Sequence, residues 1–301
     1  MNYDEAMAPY AQPQPARGPL PGAVDYPSPA RRLRDACEPI AQHPVWSRYV
    51  NERLAELGLD FLTAYVGGRA AYLGDPAEPV VAATFAWFEP SLIAGIYQQA
   101  RQTASPDQVL ATRVQATVLS LGVVLGDDDP SAVADALADA AEVAEGMGRP
   151  LFSGVRATGR PIDPVERLWW AATLVREHRG DSHVAAAAAA GIGPVEMNLL
   201  TEQWLGMPLT SYAVTRGWSS EALQEGAVRL EERGWMRAGR ITESGAEARS
   251  RIEEITDVQE RSIVVGLGGR LADVCEQLEV WARRCVEAGT FPNDASKRAA
   301  G

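Results

Sequence analysis

The residues best suited to chemistry lie in one run, Arg176-Glu177-His178-Arg179-Gly180-Asp181-Ser182-His183, which holds two of the three histidines of the chain. Gly180 can end one helix in the left-handed conformation, and Asp181 or Ser182 can cap the next. On that reading His178 sits at a helix C-terminus, which favours its charged form, and His183 at a helix N-terminus, which favours the neutral ring. Such an arrangement suits an acid/base pair of His178 and His183 assisted by Asp181. It suits equally anion recognition by Arg179 at a free helix start, or plain capping with no chemistry at all. A metal fits less well, because the histidines straddle a turn and only Glu177 or Asp181 stands by as a third ligand.

Trp169 and Trp170 lie upstream on the helix leading into this run, where they either wall a pocket for a flat ligand or fill a core. In the N-terminal half Tyr65, Arg69 and Tyr72 recur at helical spacing beside Gly67-Gly68, where backbone can approach another element or a ligand closely. Arg69 then meets a ligand carboxylate, or pairs with a local acid such as Asp75 or Glu89. Trp87-Phe88 and Tyr97 read as core. Asp127-Asp128-Asp129 lacks the spaced ligands and glycine of a calcium loop, and Gly266-Leu267-Gly268-Gly269 lacks the strand–helix unit of a dinucleotide fold. No nucleophile elbow, P-loop or HExxH motif appears, so the cofactor stays unknown.

Around these residues the chain has 301 residues, 46% of them hydrophobic, enough for two ordinary domains. Its net charge of −12 repels nucleic acid overall, so any DNA contact must be local. The three cysteines form no CxxC and read as small buried hydrophobes. No apolar run of bilayer length and no signal-peptide pattern stands out, which places the expected protein in the cytoplasm with no membrane partner.

The expected organisation is mainly α: a disordered proline-rich arm over 1–29, a helical N-terminal domain over 30–148, and a connector over 149–163. A helical and winged-helix domain follows over 164–258, then a C-terminal pairing helix over 259–290 and a disordered tail over 291–301. Helix starts are legible at Ser105-Pro106 with Gln108 and at Asp163-Pro164 with Glu166, both in the form of capping boxes. Helices are expected near 30–42, 46–57, 59–71, 77–87, 90–103, 106–124, 131–146 and 164–178. After Arg270 the apolar stripe Leu271, Val274, Leu278, Trp281 and Cys285 asks for a partner helix, in the same chain or in a homodimer.

Between Thr210 and Thr256 the order is a helix (LTSYAVTRG), a turn at Gly217-Trp218, a helix to Arg233, a two-stranded wing (GWMRAGRIT) with Ala238-Gly239 at its tip, and a further helix. That is the layout of a winged helix, whose second helix enters a major groove. The segment ALQEGAVRLEERGWMRAGRITESGAEARSRIEEITD resembles the recognition helix, wing and following helix of MarR-type regulators. From about Arg31 the chain also resembles a family of actinobacterial helix-turn-helix proteins, through GRAAYLG (68–74), FEPSL (88–92), RPLF (149–152), REHRGDSHVAA (176–186) and the ITESG…IEEITD tail.

The resemblance implies a homodimeric, ligand-responsive transcription regulator, with DNA contacts from Arg229, Arg237, Arg240 and Gln224 and a small molecule near Tyr65, Arg69, Trp169, Trp170 and Arg179. The charge pattern pulls the other way. Leu223, Ala227 and Leu230 form the buried stripe of the recognition helix, leaving Glu221, Glu225 and Glu232 outward, and Thr210 to Asp257 holds seven arginines against nine carboxylates. An enzyme or binding protein of specialised metabolism on the same scaffold, using His178, Asp181 and His183, is therefore the alternative, and a protein-interaction module the third.

Overall fold

The computed structural model describes residues 1–8 and 28–293. The chain is mainly helical. In order it runs α1 (Tyr3–Met7), α2 (Pro29–Ala41), α3 (His43–Trp46), α4 (Arg48–Ala55), α5 (Phe61–Ala70), α6 (Glu78–Thr84), α7 (Pro90–Thr103), α8 (Pro106–Leu125), α9 (Ser131–Glu142), α10 (Pro150–Ala157) and α11 (Pro164–Ala189). The winged part follows as α12 (Pro194–Trp204), a 3-10 turn at Ala213–Arg216, α13 (Ser220–Glu232), β1 (Met236–Arg237), β2 (Arg240–Ile241) and α14 (Glu243–Gln259). Helices α15 (Arg261–Leu267) and α16 (Leu271–Glu287) close it.

Local chemistry accounts for the starts. Ser105 and Gln108 form a reciprocal capping box on α8, while Asp163 caps α11 at the Glu166 N–H without the return bond. Ser219 caps α13 and Thr242 caps α14.

Besides α11, three element readings change. The connector contains α10, whose Leu151, Phe152 and Val155 are buried. The arm contains α1, closed by an Asn2–Glu5 capping box and tied down by Tyr3 Oη donating to the Trp46 carbonyl at 2.6 Å; residues 9–27 of the arm and 294–301 of the tail lie outside the described residues. LTSYAVTRG forms only the short 3-10 turn: Thr210 takes a positive φ of 68°, and the buried Glu202 carboxylate caps the turn by accepting the Thr210 and Ala213 N–H groups at 2.7 and 2.6 Å.

The main core draws on α2, α8, α9, α10, α11, α15 and α16, with Leu33, Ile40, Leu137, Phe152, Leu168 and Trp281 at its centre. A second core, with Leu199, Leu223, Leu230, Met236 and Ile252, belongs to the winged part. Helix α11 feeds both. The α16 stripe, expected as a pairing seam, packs on α2 within the chain, with Val274, Leu278, Trp281 and Cys285 buried. Trp281 Nε1 donates to Asp128 at 2.8 Å, which gives the acidic loop a structural task.

One described helix, α8, is by length and composition alone apolar enough to cross a bilayer, a test that a helix packed in a protein core also passes. It packs one face into the body and carries buried Arg113 there. That guanidinium lies over the Tyr72 and Trp169 rings and against Gly68, where an added Cβ would stand 2.6 Å from Nη1. The Gly67-Gly68 pair thus serves close packing of elements.

Candidate functional site

Between the helical body and the winged part lies a cavity of about 470 Å³. Its walls come from α1, α2, α5, the α6–α7 loop, α11, α12, the 3-10 turn and α14. Phe61, Tyr65, Phe85, Trp87, Phe88 and Tyr212 give it aromatic surface. Seven arginines reach it against four carboxylates (Glu5, Glu38, Asp181, Glu253) among the described residues, in a chain whose net charge is −12. The lining therefore carries more guanidinium groups than carboxylates, and several of these are ion-paired to acids of the body and of α14.

The guanidinium groups are held by a carboxylate framework. Glu177 accepts a two-point contact from Arg69, Nε at 3.0 Å and Nη2 at 2.7 Å, and a third bond from Arg176 Nη1 at 2.7 Å. Burial alone would raise its carboxyl, but Arg69 and Arg176 outweigh burial and hold it at about 2. Glu253 binds Arg31 at 2.8 Å, Arg249 at 2.9 Å and Arg179, which also reaches Asp257 at 2.7 Å. Burial opposes ionisation there too, yet these three cations keep the Glu253 carboxyl well below the usual range.

The run 176–183 is the largest correction. Helix α11 passes through Gly180 without a break, so His178 is at no C-terminus and His183 at no N-terminus. The groups able to cap a new helix are engaged elsewhere: Asp181 accepts the Phe152 N–H of α10 at 3.1 Å, and Ser182 Oγ donates to the His178 carbonyl at 2.7 Å. His178 is fully buried, with Nδ1 on Glu260 and its ring edge-on to Phe152. His183 bonds Thr256 Oγ1 at 3.0 Å, packs on Trp87 and lines the cavity. The two rings therefore serve different partners and do not form an acid/base pair. Asp181 also lines the cavity, and burial, with the nearby Glu177 charge, pushes its carboxyl up to about 7.

Of the other expected ligand residues, Tyr65, Arg69 and Arg179 line the cavity, with Arg69 paired to Glu177 rather than to Asp75 or Glu89. Trp169 and Trp170 do not; they are core, with Nε1 donating to the Ala41 carbonyl at 3.2 Å and the Val155 carbonyl at 3.1 Å. Sequence reasoning missed Arg31, Tyr212 and the Arg249–Glu253 pair; Arg176 stood in the run without a role of its own, and Trp87 was read as core although it lines the cavity. An i,i+4 Arg–Glu pair reads as a solvated helix face, and nothing local reveals that it is buried.

On the winged part, Gln224, Glu221 and Glu225 are exposed on α13, and Arg229 leans back to Glu196 of α12. Arg237 and Arg240 are exposed and stand opposite each other in the β1–β2 register. Like charges directly across a strand pair are unfavourable unless an anion lies between them.

The cavity and α13 share one loop. The Trp87 carbonyl accepts from Asn198 Nδ2 of α12 at 2.8 Å and from Trp218 Nε1, just ahead of α13, at 3.0 Å. The Glu89 N–H donates to the Arg216 carbonyl at 2.9 Å. Trp87 and Phe88 in that loop are cavity wall. A helical body enclosing a cavity and joined to a winged helix-turn-helix is the class of protein this fold and site define. Residues 30–292 match a helix-turn-helix family, and the chain belongs to it. No curated protein and no solved structure matches the chain.

Proposed function

We propose that the protein is a ligand-responsive, DNA-binding transcription regulator of MarR-like kind, taking a small molecule in the cavity between its helical body and its winged part. The observation that carries this reading is Trp87, whose ring walls the cavity while its carbonyl holds the start of the recognition helix. A ligand that moves the 85–89 loop changes how α13 is presented to a groove. The opposed Arg237 and Arg240 supply the phosphate contact that the acidic outer face of α13 does not. Such a regulator works in the cytoplasm, and reading a two-fold site requires a homodimer.

The test is fluorescence anisotropy of the full chain with its own upstream duplex and with a random duplex over a salt series. The expected result is a preference for the upstream duplex that survives moderate salt and falls about ten-fold or more in Arg237→Ala and Arg240→Ala. Equal affinity for both duplexes at every salt concentration would overturn the reading.

A further inference from the structure

Three cavity residues stand in register on α11: Arg176, Gly180 and His183, at i, i+4 and i+7 and hence on one face. Each has a feature the protein's own packing does not use.

The Thr256 hydroxyl donates its single proton to the Ile252 carbonyl at 2.8 Å, so in the 3.0 Å contact with His183 Nδ1 the ring must be the donor. A neutral imidazole with its proton on Nδ1 presents Nε2 as an acceptor, and that atom has no protein partner among the described residues. Burial, with Arg249 next, holds the ring down to about 3, so it remains an acceptor at neutral pH.

Arg176 gives Nη1 to Glu177, and its buried Nε lies 3.4 Å from Glu38 Oε2 without a hydrogen bond. Its Nη2 makes none among the described residues. Arg176 is thus ion-paired to Glu177 and Glu38 and keeps Nη2 as the donor for a further anion.

Gly180 sits in a helix interior without positive φ, where glycine weakens the helix relative to alanine. No packing demands it: an added Cβ would find nothing nearer than Glu177 Oε2 at 3.8 Å. The missing side chain leaves a bare floor between Arg176 and His183, which are about 10 Å apart along the axis at helical rise.

We propose that this cavity takes a flat, two-ring organic acid whose carboxylate meets Arg176, whose ring system lies over Gly180, and whose far hydroxyl or N–H donates to His183 Nε2. The Tyr65, Phe85 and Trp87 rings supply apolar wall for its body. The inference rests on the ligand-responsive reading for its biological consequence, though not for the binding itself.

Calorimetry on the full chain with 6-hydroxy-2-naphthoate, 6-methoxy-2-naphthoate and 2-naphthol tests it. The hydroxy acid is expected to bind about ten-fold or more tighter than either of the others, since a site built for a donor rejects the analogue lacking it. His183→Leu should bring the hydroxy and methoxy acids within about three-fold of each other. Gly180→Ala should raise the Tm of the free protein and weaken the hydroxy acid about ten-fold, opposite signs that a merely structural glycine would not give.

Equal binding of the two acids by the unmodified protein, or no binding of any probe at about 1 mM, overturns the proposal. So does a Gly180→Ala protein that binds undiminished. Should His183→Leu not fold, the probe series and Gly180→Ala still decide. Selective binding of the hydroxy acid with no effect on duplex affinity leaves this inference standing and removes the regulator reading.

Discussion

Asp181 and His183 stand two residues apart on α11, and burial drives both toward their neutral forms, the carboxyl up to about 7 and the imidazole down to about 3. The consequences for stability run in opposite directions. An unfolded aspartate ionises near pH 4, so between about 4 and 7 the folded chain holds the extra proton and stability falls as pH rises, with the loss complete above 7. His183 instead destabilises the fold as pH drops from about 6.5 toward 3, because the unfolded ring takes up a proton that the folded one refuses. Asp181→Asn keeps an acceptor for the Phe152 N–H and removes the charge. Urea unfolding should find it more stable than the parent at about pH 8 by a kcal/mol or more, with that gain gone at about pH 4.5. An equal difference at both pH values would contradict a buried, ionising carboxylate as its source. The sequence marked these two residues as chemically distinctive; what it could not give was their burial, which is the largest cause of both shifts, ahead of Glu177 one turn away for Asp181 and distant Arg249 for His183.

At the scale of elements, the signals carried by adjacent residues were legible. Proline at the first helical position, serine or aspartate before it, and a buried stripe at Leu223 and Leu230 are local facts, and the helices begin where they say. Failures came where a distant group outbid a local signal. Gly180-Asp181-Ser182 has the composition of a helix break, but Asp181 serves α10, and packing at both ends of α11 makes one rigid helix of it. Residues 149–163 look aperiodic, yet α10 forms because its apolar face has a core to enter. The wing followed local chemistry closely: Ala238 and Gly239 both take positive φ, at 49° and 73°, as a two-residue hairpin turn of this hand requires. Alanine is strained there, and Ala238→Asn is expected to stabilise the protein by about 0.5–1 kcal/mol, read as a rise in Tm with the α13 packing unchanged. A fall in Tm would mean the turn is held by something other than its own backbone preference.

At the scale of the whole molecule, arginines are gathered where they are least expected in an acidic chain, around an internal cavity, while α13 shows carboxylates outward. The two facts fit together if the cavity, rather than the surface, is where the protein reads an anion, and the wing alone touches phosphate. The link is the 85–89 loop, with the Trp87 carbonyl shared by Asn198 and Trp218. Trp218→Phe removes the indole N–H from that link and leaves a smaller aromatic ring against the second core. The central measurement is therefore duplex binding by the parent and by Trp218→Phe, upstream against random sequence, at moderate salt. If the loop couples cavity to recognition helix, the parent prefers the upstream duplex and that preference drops about five- to ten-fold in the variant at unchanged random-duplex affinity. A preference left intact by Trp218→Phe would contradict the coupling.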